Sequence, residues 1–215
     1  MVEMRIVLFG DVVASQLAGA AAARWLRGFA GELDEAYGAF RCARFGFTQG
    51  DELQGVLIAE ADPFQAVLRA VLRDEKATPS IRWAIAVGEV DAGDGPATQW
   101  TGPAFVAARQ LIEVARRQRV RIVVQSGDPR ADALLDDIAP VLGTLLAGLT
   151  DRQRLIGKLL VVDHLRQADT AERLAIARPT VSVAAERAHI RDIAGLSRAS
   201  LALLREGIAA AGGRP

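Results

Sequence analysis

Residues 4–13 read MRIVLFGDVV, an apolar run with one carboxylate, Asp11, close to its end. The pattern predicts a buried strand, because a run this short and continuous has no polar face to turn to water. From Ser15 to about Tyr37, Leu17, Ala21, Trp25, Phe29 and Leu33 recur at helical spacing. Residues 39–48 and 53–59 are short apolar segments on either side of Gln49-Gly50-Asp51-Glu52, which predicts a hairpin with Gly50 in its turn. Asp62 and Pro63 predict a helix start, with Leu68, Val71 and Leu72 on its apolar side. Residues 81–90, IRWAIAVGEV, predict another strand. A helix over 103–118 follows, with Ala107, Leu111 and Val114 inward, and a last strand over 120–125. The order is βαββαβαβ, an α+β unit with a mixed sheet and helices on one face.

Beyond it, residues 128–149 read as an apolar helix that Pro140 should kink or split. This helix is either a lid on the first core or a dimerisation element. Four helical patterns then follow. Thr150 caps the first, Asp169 or Thr170 the second, Arg178-Pro179-Thr180 opens the third, and the last runs from about Leu196 to Ala211. The expected division is 1–127, a connecting helix over 128–149, and an all-α unit over 150–215.

The 215 residues are 51% apolar and 24% charged, ordinary globular composition that excludes wholesale disorder. Basic and acidic residues balance at 26 each, so net charge points to no partner. The balance hides an asymmetry: residues 1–150 hold 15 basic and 19 acidic residues, and 151–215 hold 11 and 7, a net −4 against +4. A basic tail on an acidic body points toward nucleic acid. The single cysteine, Cys42, forms no internal disulfide, and no apolar stretch reaches the ~18–20 residues of a membrane span. The expectation is a soluble, cytoplasmic protein without a membrane partner.

Asp11 at a strand end and Asp51 at a hairpin tip can meet at one edge of the sheet. Paired carboxylates there suit Mg²⁺ or Mn²⁺, with a phosphate completing the shell. The turn after Asp11, with the Ser15 hydroxyl, leads into a helix N-terminus that suits a phosphate. The bland alternatives are a helix cap for Asp11, a turn residue for Asp51 and a surface ion pair for Arg109. Gln99 and Trp100 lie in a loop facing the same edge, where they contact a base or nothing.

LFGDVVAS (8–15), FTQGDELQG (47–55), IRWAIAVGEV (81–90) and TGPAFVAARQL (101–111) resemble, in this order, the palm of class III nucleotide cyclases and diguanylate cyclases. The wording of QGDELQGVL and GPAFVAAR is most similar to the SatD family. The resemblance covers about residues 4–125 and implies a ferredoxin-like, nucleotide-cyclase-like palm. It implies metal ligation by Asp11 and Asp51, a transition-state phosphate contact from the catalytic Arg109, and nucleotide contacts from Ser15, Gln99, Trp100 and Arg109. The departures are specific: the base-reading lysine falls on Phe47, the purine-selecting aspartate on Gln99, and the ribose-orienting asparagine on Phe105. Losing such positioning groups impairs turnover, so the expected palm binds a nucleotide or related ligand without efficient catalysis.

Residues 171–187, AERLAIARPTVSVAAER, resemble the helix-turn-helix of bacterial regulators. Ala171, Leu174, Ile176 and Val181 would pack the two helices, leaving Arg178, Thr180, Ser182, Val183 and Arg187 to face DNA. Ala175 stands where such turns often use glycine, and Glu186 beside the reading face would repel phosphate. The reading is therefore a SatD-like, homodimeric transcriptional regulator. The alternatives are an active metal-dependent nucleotidyl cyclase and an interaction module with neither activity.

Overall fold

The structure is a computed structural model that describes residues 3–13, 19–48, 52–74 and 79–212. Ser15, Gly50 and Asp51 lie outside the described residues. The elements of the first part are β1 (Arg5–Val12), α1 (Gly19–Tyr37), β2 (Gly46–Phe47), β3 (Glu52–Ile58), α2 (Phe64–Val71), β4 (Ile81–Gly88), α3 (Pro103–Gln118) and β5 (Ile122–Gln125). The strand order is β2-β3-β1-β4-β5. β1 runs antiparallel to both β3 and β4, while β5 lies parallel to β4. The first six core elements thus make the split βαββαβ arrangement, extended by one parallel crossover through α3.

Helices cover both faces of this sheet, not one. Ile6, Leu8, Trp83 and Ile85 face the cluster that holds Leu26 and Phe29 of α1 and Phe64 and Leu68 of α2. Val7, Phe9, Ala84 and Ala86 face Ala104, Phe105, Ala108 and Ile112 of α3. The reason is visible in β1, which is buried on both sides along nearly its whole length and needs two covers. On α3 the buried stripe is Ala104, Ala108, Ile112 and Ala115, and the expected Ala107, Leu111 and Val114 only flank it. Alanine at the contact lets the helix backbone approach the sheet, so the small residues rather than the large ones mark the inner face.

The predicted strand over 39–48 is reduced to the two residues of β2, preceded by a short 3₁₀ turn at Gly38–Phe40. Phe45 packs closely on β3 at Gly55: a Cβ there would sit 2.1 Å from its ring. That close approach requires glycine at 55. At α2 the Asp62 carboxylate accepts the Phe64 N–H at 3.0 Å, as the predicted start required.

The later elements are α4 (Pro129–Ala147), α5 (Asp151–Gly157), a π-helical turn (Lys158–Val162), α6 (Gln167–Arg173), α7 (Arg178–Arg187) and α8 (Ile190–Gly212). Pro140 does not split α4. The helix packs along its length on β5 and α8, burying Leu135, Ala139, Leu142 and Leu146. This packing carries it past the missing amide. Leu134, expected to face inward, is exposed. Thr150 caps α5 with a reciprocal Gln153 contact, as expected. α6 begins earlier than predicted, because Asp169 reaches back to the Arg166 N–H instead of starting the helix itself. α8 likewise begins at Ile190 rather than Leu196, since Ile190 and Ile193 are buried and extend the apolar face by more than a turn.

The C-terminal helices rest on the α1/α2 side of the sheet. Ile156, Val162, Val181, Ile190 and Leu204 belong to the same apolar cluster as Leu8 and Trp83. A Cβ on Gly157 would stand 2.9 Å from Leu72, so α5 meets α2 closely. No described helix is long and apolar enough to cross a membrane.

Candidate functional site

Asp11 ends β1 on the α3 side of the sheet, opposite Glu52 on β3 and Arg82 on β4. It is buried, and both of its oxygens are taken. Arg82 Nη1 donates to Oδ2 at 2.6 Å, and Arg116 of α3 donates from Nη2 to Oδ1 at 2.6 Å and from Nε to Oδ2 at 3.3 Å. A carboxylate of low exposure held by two guanidinium groups is a strong, directional pairing. The hydrogen bond to Asp11 raises the Arg116 pKa above the usual arginine value, against partial burial, which pulls it down. Arg116 also donates to Glu113 at 2.7 Å.

This arrangement does not fit a divalent cation at Asp11. Three N–H groups occupy most of the carboxylate's acceptor sites, and two positive charges stand against its oxygens. Among the described residues no cluster of three or more metal-ligating side chains exists.

Next to the clamp, α3 and the loop before it frame a cleft lined by Thr48, Gln54, Thr98, Trp100, Phe105 and Arg109, with Glu113 at its edge. Gln54 is buried and donates to Glu52 Oε1 at 2.6 Å. Arg109 is largely exposed, with its guanidinium 5.8 Å from the Phe9 ring centre and 3.8 Å from Glu52. The Trp100 indole N–H is buried and has no hydrogen-bond partner among the described residues. Trp100 and Arg109 therefore share one cleft. Gln99 does not join them: it is exposed, and its amide lies against Gly95. Glu89 is exposed, and it is its backbone carbonyl that engages α3, accepting the Ala104 N–H.

Sequence reasoning missed Arg82 and Arg116, the two partners that decide the state of Asp11. A single arginine inside the apolar strand IRWAIAVG is the signal that could have found the first, since a charge in a buried strand needs an opposite charge.

At the other end of the chain, α6 and α7 pack against each other across a turn. Ala175 in that turn has φ 50°, the left-handed conformation that glycine usually supplies. Ala171 and Val181 are buried between the helices, and Leu174 and Ile176 are half-buried beside them. Arg178, Thr180, Ser182, Val183 and Arg187 are all exposed on α7, and so is Glu186. Thr180, Val183 and Arg187 border a groove shared with Thr150, Arg152 and Gln153 at the start of α5.

No protein-family model matches the chain, and no curated protein matches it. Solved structures overlap with it at low similarity, two of them as follows. A bacterial light-regulated adenylyl cyclase aligns at 17% identity and a TM-score of 0.41, over 58% of this chain and 76% of that one. A regulator of polyketide synthase expression from Bifidobacterium adolescentis aligns at 17% identity and a TM-score of 0.29, over 99% and 82%.

Proposed function

We propose that this chain is a DNA-binding transcriptional regulator, with a palm that serves as sensor or scaffold rather than as a metal-dependent cyclase. The observation that carries the reading is the surface of α7. It buries Val181 and Ala185 and turns Arg178, Thr180, Ser182, Val183 and Arg187 to solvent. This division of faces is what a recognition helix needs: an apolar side on its supporting helix and a polar, basic side for a groove. Arg178 and Thr180 stand in its first turn, the end that reaches base edges in such motifs. In this reading two copies of the chain would place two such helices on successive half-sites.

The palm supports the non-enzymatic half of the proposal. Asp11, which the cyclase resemblance makes a metal ligand, is engaged by Arg82 and Arg116. Phe47 and Phe105 replace the residues that read the base and orient the ribose in that family. The cleft that holds Trp100 and Arg109 keeps an aromatic surface and a cation suited to a nucleotide or a related anion.

The test is selection of bound duplexes from a random double-stranded library with the whole chain. Enrichment of a palindromic sequence, lost with Arg178→Ala or Thr180→Ala, is the expected result. Retention of duplexes without any enriched sequence overturns the regulator reading.

A further inference from the structure

We infer that the cavity between the sheet and the C-terminal helices is a binding site for a small amphiphilic organic anion, a carboxylate carried on a hydrocarbon body. It lies on the face of the sheet opposite the Trp100–Arg109 cleft and does not rest on the DNA-binding reading.

The cavity holds about 130 Å³ of space for an occupant and opens to solvent at its mouth. Its walls come from α2, β4, the start of β5, α4 and α5, and Val67, Val71, Ile81, Ile122 and Leu146 make them apolar. Besides Ser80, three buried donors interrupt this lining. The indole N–H of Trp83, Nη1 of Arg121 and Nε of Arg154 are each buried with no hydrogen-bond partner among the described residues. Trp83 and Arg121 are fixed side by side, because the Trp83 backbone N–H donates to the Arg121 carbonyl at 2.7 Å. Arg154 comes from α5 and meets Asp151 only at 4.0 Å, through its other nitrogen Nη1.

A buried donor without an acceptor is costly, and a guanidinium donor more so. Two guanidinium groups and an indole N–H around one cavity call for an acceptor that carries negative charge. The described lining residues include no aspartate or glutamate. A carboxylate supplies two oxygens for these donors, and the apolar walls cover the hydrocarbon part. Pockets of this kind, mostly apolar with a few placed polar groups, are the usual form of a small-molecule site. The occupant would touch α5, which packs against α7.

Octanoate is a suitable probe, and octanol of equal chain length is its uncharged control. Nitrogen-15 NMR of the whole chain reports the three tryptophan indole signals, which single Trp→Phe variants assign. Octanoate is expected to shift the Trp83 signal saturably and to leave Trp25 and Trp100 in place, while octanol binds at least tenfold more weakly. Arg121→Gln and Arg154→Gln should each weaken octanoate about tenfold, the loss expected for one hydrogen bond to a charged group. If Arg121→Gln fails to fold, Arg154→Gln on part-exposed α5 decides. An unmoved Trp83 signal, equal binding of octanol, or undiminished affinity in the folded variants overturns the inference. Because the readout contains no DNA, its failure is distinct from a failure of the regulator reading.

Discussion

The Arg116 guanidinium reaches from α3 across the face of the sheet to place Nη2 2.6 Å from Oδ1 of Asp11, 105 residues earlier in the chain. With Arg82 on the adjacent strand at 2.6 Å from Oδ2, it turns a carboxylate expected to bind metal into a structural tie between β1, β4 and α3.

Removing Asp11 should therefore cost stability. Asp11→Ala leaves the little-exposed Arg82 with an uncompensated charge, and breaking such a pair costs about 3 kcal/mol. Arg116 is nearly half exposed, so Arg116→Ala should cost about 1 kcal/mol or less after allowance for solvent screening. Urea denaturation measures both, and equal losses would contradict the ordering.

The turn between α6 and α7 makes a second prediction. Ala175 holds φ 50°, which costs a residue with a Cβ roughly 1–2 kcal/mol relative to glycine. Ala175→Gly should raise stability by roughly 0.5–1 kcal/mol, part of the gain being offset by the freer unfolded chain. A lower melting temperature in that variant would mean the turn is not under this strain.

Asp62 offers a prediction in pH. Burial raises its carboxyl pKa above the ordinary value, while hydrogen bonds from Gln65 and Phe64 act against that. An acid whose pKa is raised on folding favours the folded state when protonated, and this contribution is lost as pH rises through the folded value. Asp62→Asn keeps an acceptor for the Phe64 N–H and removes the charge. It should melt at or above the unaltered chain at pH 7, with the difference shrinking toward pH 4. A deficit at pH 7 would show that the ionised carboxylate is needed as the cap.

The clamp on Asp11 also bears on chemistry. Incubation with ATP or GTP and Mg²⁺ or Mn²⁺ should give no cyclic or hydrolysed product by mass spectrometry, and the cations alone should leave the melting temperature unchanged. A product that disappears with Asp51→Asn would establish the nucleotide enzyme instead.

β1 and β4 were legible as strands because they are apolar on both faces, which only a covered sheet permits. The second helical layer was not, since α3 presents Ala104, Ala108 and Ala115 to the sheet and small residues carry a weak periodic signal. Cap chemistry at Thr150 and Asp62 could be read from a few adjacent residues. The partners of Asp11 could not, because Arg82 and Arg116 lie 71 and 105 residues away and only the folded sheet brings them together. The three donors around Trp83 escaped for the same reason: they come from β4, the start of β5 and α5.

Contact between α7 and DNA should show in the salt dependence of binding. Fluorescence anisotropy of a labelled duplex across about 50–200 mM salt should show affinity falling steeply, with Arg178→Ala and Arg187→Ala each reducing either the slope by about 1 or the sequence preference. Affinity that is absent at low salt, or is unaffected by both substitutions, would rule out DNA contact through α7.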